Sequence, residues 1–116
     1  MKKKITFCFD IDNTICKTKF SNYSSSVPDK KAIKMINNLY EKGHIIKINT
    51  ARYMGRNRDN ISKSNKTGYK KTIIQLKKWG LKFHKLFLTK PSSDIYIDDK
   101  SYGYNQKWKK SFKKFL

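Results

Sequence analysis

Ile5-Thr6-Phe7-Cys8-Phe9-Asp10-Ile11-Asp12-Asn13-Thr14 is the stretch that decides the fold. Residues 4 to 9 are β-branched and aromatic, apolar enough on both faces to predict a central strand in a covered sheet. The apolar run stops at Asp10, and two carboxylates separated by one residue stand where the chain leaves the sheet. A carboxylate beside a packed sheet is costly unless it is paired or used.

Working outward, the segment from Ile11 to Val27 turns polar, and Pro28 marks the first turn of a helix. Ala32, Met35, Ile36, Leu39 and Tyr40 recur at helical spacing and Gly43 follows as a left-handed cap, which predicts an amphipathic helix from about 28 to 42. His44 to Asn49 reads as a second strand and ends in Thr50-Ala51-Arg52. The polar, basic stretch 53 to 68 predicts a long loop. Tyr69, Ile73, Leu76 and Trp79 predict a second helix stopped by Gly80. Leu86-Phe87-Leu88 is a third strand leading to Thr89-Lys90-Pro91, and Ile95-Tyr96-Ile97 a fourth that runs into Asp98-Asp99. A last helix covers Gln106 to Phe115, with Trp108, Phe112 and Phe115 docking on the sheet. The order β-α-β-α-β-β-α calls for a mainly parallel sheet with helices on its faces, because parallel neighbours need crossover connections. Ligands of such sheets bind outside the carboxyl ends of the strands.

With 116 residues the chain suits one domain, residues 1 to 116. No apolar run has the length of a membrane span and no signal peptide is apparent, so the expected location is cytoplasmic. Cys8 and Cys16 lack a CxxC spacing and are read as reduced and structural, and His44 and His84 as structural. The net charge of +20 makes nucleic acid a candidate partner. Yet the 28 basic residues include only three arginines, Arg52, Arg56 and Arg58, and a general lysine excess also arises from AT-rich coding. Nucleic-acid readers depend more on arginine forks and interleaved aromatics, so that partner is not favoured.

Only eight acids occur, and Asp10, Asp12, Asp98 and Asp99 form two tight pairs at the ends of apolar segments. Such a cluster needs counter-charge, and hard oxygen ligands in an open site suit Mg²⁺. Thr50 and Lys90 add a hydroxyl donor and a positive charge. These are parts for phosphoryl transfer, in which positioning and charge neutralisation do most of the work.

The ordered set resembles the haloacid dehalogenase superfamily of phosphatases. Its first motif is matched by Phe9-Asp10-Ile11-Asp12-Asn13-Thr14, its second by Ile48-Asn49-Thr50, its third by Lys90 in Leu88-Thr89-Lys90-Pro91, and its fourth by Ile97-Asp98-Asp99, over residues 4 to about 104. The resemblance implies a Rossmann-like three-layer α/β sandwich, and the short insertions imply no cap domain. It implies Asp10 as nucleophile through an aspartyl-phosphate, and Asp12 as the acid and base. Thr50, Ala51, Arg52 and Lys90 would bind the substrate. Asp98, with Asp10 and the backbone carbonyl of Asp12, would hold Mg²⁺, and Asp99 would act directly or through a water.

Asp-Asn-Thr in the first motif, the arginines after the second, and Lys-Pro at the third are similar to phosphatases encoded with surface-polysaccharide synthesis. That narrower likeness implies a sugar or polyol phosphate as substrate. A nucleotidase or nucleic-acid end phosphatase is the first rival, and a non-catalytic nucleic-acid-binding protein the second. Arg52, Arg56 and Arg58 are candidates for a second anionic group, with loops 17 to 27 and 53 to 68 as flaps. Capless relatives borrow a neighbouring subunit to cover the site, which leaves homo-oligomerisation open.

Overall fold

The computed structural model describes residues 3–105 and 107–116. Five strands and three α-helices follow in chain order: β1 (Thr6–Phe9), β2 (Cys16–Lys17), β3 (Val27–Pro28), α1 (Lys30–Glu41), β4 (Ile45–Asn49), α2 (Ile61–Lys78), β5 (Lys85–Phe87) and α3 (Trp108–Phe112). A 3-10 turn, Lys113–Phe115, extends the last helix. The predicted start of that helix at Gln106 lies outside the described residues.

The main sheet has three strands in the order β1-β4-β5, both pairs parallel. This is a small α/β fold, as the alternation of elements predicts. The central strand is β4, however, and β1 lies at an edge, contrary to the expectation from its two apolar faces. Only one of its faces is covered, since Thr6 and Cys8 on the other are exposed. Phe7 and Phe9, on the covered face, pack with Phe112 at ring separations of 5.6 and 5.8 Å, so the C-terminal helix lies against that side of the strand. The docking of that aromatic face agrees with the sequence.

Local signals explain the helices. Asp29 caps α1, its carboxylate accepting the Ala32 N–H at 3.1 Å, so Pro28 stands two residues ahead of the helix, in β3. Ala32, Ile33, Ile36 and Leu39 are its buried stripe. Each aliphatic side chain so buried contributes about 1.5–3 kcal/mol. Gly43 takes φ +92°, the left-handed conformation that closes the helix.

The helix α2 corrects the sequence more deeply. Half of the predicted loop 53 to 68 is helical, since α2 begins at Ile61, where Asn60 accepts the Lys63 N–H at 2.9 Å. Its buried face is Ser64, Gly68, Thr72 and Leu76, strict four-residue spacing filled mainly with small residues. The third strand lies one residue earlier than expected. The fourth does not form: Ile95–Ile97 has no strand conformation, and Ile97 is 95 % exposed. His44 and His84 are structural, each Nδ1 accepting a backbone N–H, from Ile5 and Ile46, at 3.0 Å. Among the described residues no helix is long and apolar enough to cross a membrane.

Candidate active site

Register brings the strand ends together. Phe9 lies beside Ile48, and Ile48 beside Leu86, so the three parallel strands reach their carboxyl ends at one level. Asp10, Thr50 and Lys90 therefore leave the sheet on the same edge. They are tied there by backbone bonds, Thr50 N–H to the Phe87 carbonyl at 3.0 Å and Lys90 N–H to the Thr50 carbonyl at 3.3 Å.

A cavity of about 260 Å³ opens at this edge, lined by Asp10, Asp12, Thr50, Ala51, Arg52 and Arg56 among others. The Lys90 ammonium stands 3.7 Å from Asp10 Oδ2 and 4.3 Å from the centre of the Tyr96 ring, which holds it beside the carboxylate. Burial pushes the Asp10 carboxyl above its ordinary range, against the pull of the Lys90 charge and of a hydrogen bond from the Ile11 N–H.

Asp12 is locked rather than free. Arg52 Nε donates to both its oxygens, at 3.1 and 3.0 Å, and Nη2 donates to Oδ1 at 2.8 Å. The Thr18 hydroxyl adds a donor to Oδ1 at 2.6 Å. Oδ2 thus receives one donor among the described residues and faces the remaining chemistry. The guanidinium itself is largely consumed: Nη1 donates to Gln75 Oε1 at 2.6 Å, Nη2 to Ser26 Oγ at 3.4 Å, and the Tyr23 ring lies 4.8 Å away. With its side chain 1 % exposed and four of its five N–H groups engaged, Arg52 positions Asp12 and keeps a single Nη1 N–H uncommitted. Thr50 is different. Its Oγ1 accepts the Arg52 N–H at 3.1 Å, which leaves the hydroxyl proton to give.

The backbone is bent to make this arrangement. Asn13, Phe20 and Tyr53 take φ of 60°, 53° and 68°, in the left-handed region; Phe20 and Tyr53 line the cavity and Asn13 follows Asp12, which does. Asn tolerates that conformation, whereas the two aromatics hold it at a cost of about 1–3 kcal/mol each. Tyr53 is seated by Gly68, whose missing side chain makes room for the ring, and Tyr23 packs on it at 5.0 Å.

Six of the eight expected site residues thus gather here: Asp10, Asp12, Thr50, Ala51, Arg52 and Lys90. Asp98 and Asp99 do not. Both are exposed, neither lines the cavity, and the Asp98 carboxylate accepts the Lys100 N–H at 2.9 Å instead. Among the described residues no three His, Cys, Asp or Glu side chains converge on one point. The donor set expected for Mg²⁺ is not assembled, so no step below is assigned to a metal. Sequence reasoning missed Thr18, Gln75 and Tyr96. Thr18 and Gln75 stand in no recognisable motif, and Tyr96 reads as a strand residue.

The parallel-stranded α/β chain folds like a crystal structure of an MCSG target from Vibrio cholerae, with a TM-score of 0.78. That chain is 22 % identical, and the match covers 97 % of this chain and 99 % of the other, which shows a common fold. Neither a protein-family model nor a curated protein matches the sequence.

Proposed function

We propose that this chain is a phosphomonoester hydrolase of the haloacid dehalogenase type, a capless three-layer α/β sandwich working through an aspartyl-phosphate on Asp10. One observation carries the proposal: a carboxylate pair, a hydroxyl and a lysine, each following a different parallel strand, meet at one cavity. Asp10 attacks phosphorus through a carboxylate oxygen. The bond to the leaving oxygen breaks, and that oxygen takes its proton from Asp12. Asp12 then removes a proton from water, which attacks the aspartyl-phosphate and restores Asp10. The Lys90 ammonium and the Thr50 hydroxyl hold the phosphoryl oxygens, and Arg52 keeps Asp12 in place.

A cavity of about 260 Å³ suits a small phosphorylated metabolite, and the narrower resemblance points to a sugar or polyol phosphate. The Mg²⁺ requirement that the resemblance implies belongs to the same proposal and to its test. Hydrolysis of p-nitrophenyl phosphate is measured with and without added MgCl₂, for wild type and Asp10→Asn. Turnover is expected in wild type and its loss in the variant. Equal turnover by a folded Asp10→Asn protein would refute the nucleophile assignment.

A further inference from the structure

Three arginines follow β4 and the structure gives them three different fates. Arg52 is spent on Asp12 and Gln75. Arg58 does not line the cavity. Arg56 does, and it is exposed. Its guanidinium carbon lies 4.8 Å from the centre of the Tyr53 ring and 5.7 Å from that of Tyr23. Two aromatic rings, inclined 63° to each other, therefore hold the cation between them without consuming a single N–H. Among the described residues no hydrogen bond or ion pair engages it. Asp59, three residues on, is turned to accept the Ser92 N–H at 2.9 Å.

A surface arginine is ordinarily a solvated side chain on a flexible stem. This one rests on a built support. The Tyr53 ring beneath it is buried against Gly68 and its backbone is held at φ 68°. Charge counting adds a second argument. Asp10 is answered by Lys90 and Asp12 by Arg52, so the positive charge of Arg56 is in excess at the cavity.

From this we infer that Arg56, held by cation–π contact with Tyr23 and Tyr53, is a second-anion subsite, and that the substrate carries a phosphate or carboxylate group besides the phosphoryl group that is cleaved. The inference rests on the phosphatase reading for the identity of the first anion. A planar fork with free donors binds either oxyanion in a bidentate way, and a charge-assisted pair of that kind changes affinity by about 10- to 100-fold.

The test uses matched pairs of substrates. Glycerol 3-phosphate is compared with 3-phosphoglycerate, which adds a carboxylate, and glucose 6-phosphate with glucose 1,6-bisphosphate, which adds a phosphate. Wild type is expected to favour the doubly anionic member of at least one pair by about tenfold or more in kcat/KM. Which pair shows the preference identifies carboxylate or phosphate. In Arg56→Gln the ratio should fall by about tenfold, while in Arg58→Gln it should stay at the wild-type value. A ratio that survives Arg56→Gln, or no preference in wild type, overturns the subsite and leaves the phosphatase standing. If wild type hydrolyses none of the four, the phosphatase reading falls. The subsite is then judged by calorimetric binding of glucose 1,6-bisphosphate against glucose 6-phosphate, where equal affinities in wild type and Arg56→Gln overturn it.

Discussion

Replacing Gly68 with alanine sets two effects of opposite sign against each other, and the structure decides between them. Gly68 lies within the eighteen-residue helix α2. By helix propensity alone, Gly68→Ala should stabilise the protein by about 1 kcal/mol. The new methyl, however, would stand 2.0 Å from both Cδ2 and Cε2 of Tyr53 and 2.8 Å from Cζ. Carbon atoms rest about 3.5–4.0 Å apart, so the ring must retreat by roughly 1.5 Å. It cannot do so cheaply, being 8 % exposed and packed against Tyr23. Overpacking of this sort costs about 1–3 kcal/mol, and the upper part applies to a rigid ring on a left-handed backbone. The net expectation is destabilisation by about 1–2 kcal/mol, a fall in Tm of about 5–10 °C followed by circular dichroism. In a Tyr53→Ala background the obstacle is gone, and the same substitution should stabilise by about 1 kcal/mol. A higher Tm for Gly68→Ala in the wild-type background, or equal effects in both, would refute the seating of Tyr53 on the helix. Because Tyr53 also supports Arg56, Gly68→Ala should weaken the preference for doubly anionic substrates.

Two further outcomes concern stability. Burial works against the charge of Asp29, but hydrogen bonds from Lys109 and the Ala32 N–H outweigh it and hold the carboxyl below its ordinary range. The unfolded chain then takes up the proton more readily, so this contribution is complete above the unfolded pKa of about 3.9 and is lost as pH falls through the lower folded value. Asp29→Ala should cost about 1 kcal/mol at neutral pH and flatten the acid side of a urea-midpoint profile; an unchanged profile would count against the cap. Thr72 is buried in α2 with its hydroxyl unpartnered among the described residues. Thr72→Val keeps the shape and removes that penalty, so a gain of about 1 kcal/mol in chemical denaturation is expected, and a loss would mean the hydroxyl has a partner.

What the sequence revealed, and what it concealed, both have physical causes. The helix α1 was legible because its buried face is aliphatic and Gly43 ends it; periodicity reports such a face directly. The first half of α2 was not, because Ser64 and Gly68 are buried there for their small size. A hydrophobic pattern is blind to a face chosen for close approach. Asp10, Asp12, Thr50 and Lys90 were legible as a site because parallel strands in register carry their following residues to one edge whatever lies between them. The role of Arg52 was not, since its partners Ser26 and Gln75 come from distant segments. In sequence it reads as a substrate ligand, and in space it also clamps Asp12.

The case of Asp98 and Asp99 goes further. Ile95-Tyr96-Ile97 has every local mark of a strand, yet a strand exists only through pairing, and composition cannot say whether a neighbouring edge is free. The sheet stops at three strands, and Phe112 and Trp108 of the last helix pack on Phe9 of its edge strand β1. Tyr96 is put to another use, holding the Lys90 ammonium beside Asp10. The two acids that remain at the cavity need counter-charge, which the sequence reading assigns to Lys90 and to Mg²⁺ held by Asp98, Asp10 and the Asp12 carbonyl, with Asp99 acting directly or through a water. The fold supplies a base for each: Lys90 from beyond β5 for Asp10, and Arg52 from beyond β4 for Asp12. The demand for positive charge is therefore legible in the sequence, and so is Lys90 as one source of it by its place after a strand; what only geometry shows is the pairing, with the ammonium 3.7 Å from the Asp10 carboxylate and Arg52 bound to Asp12.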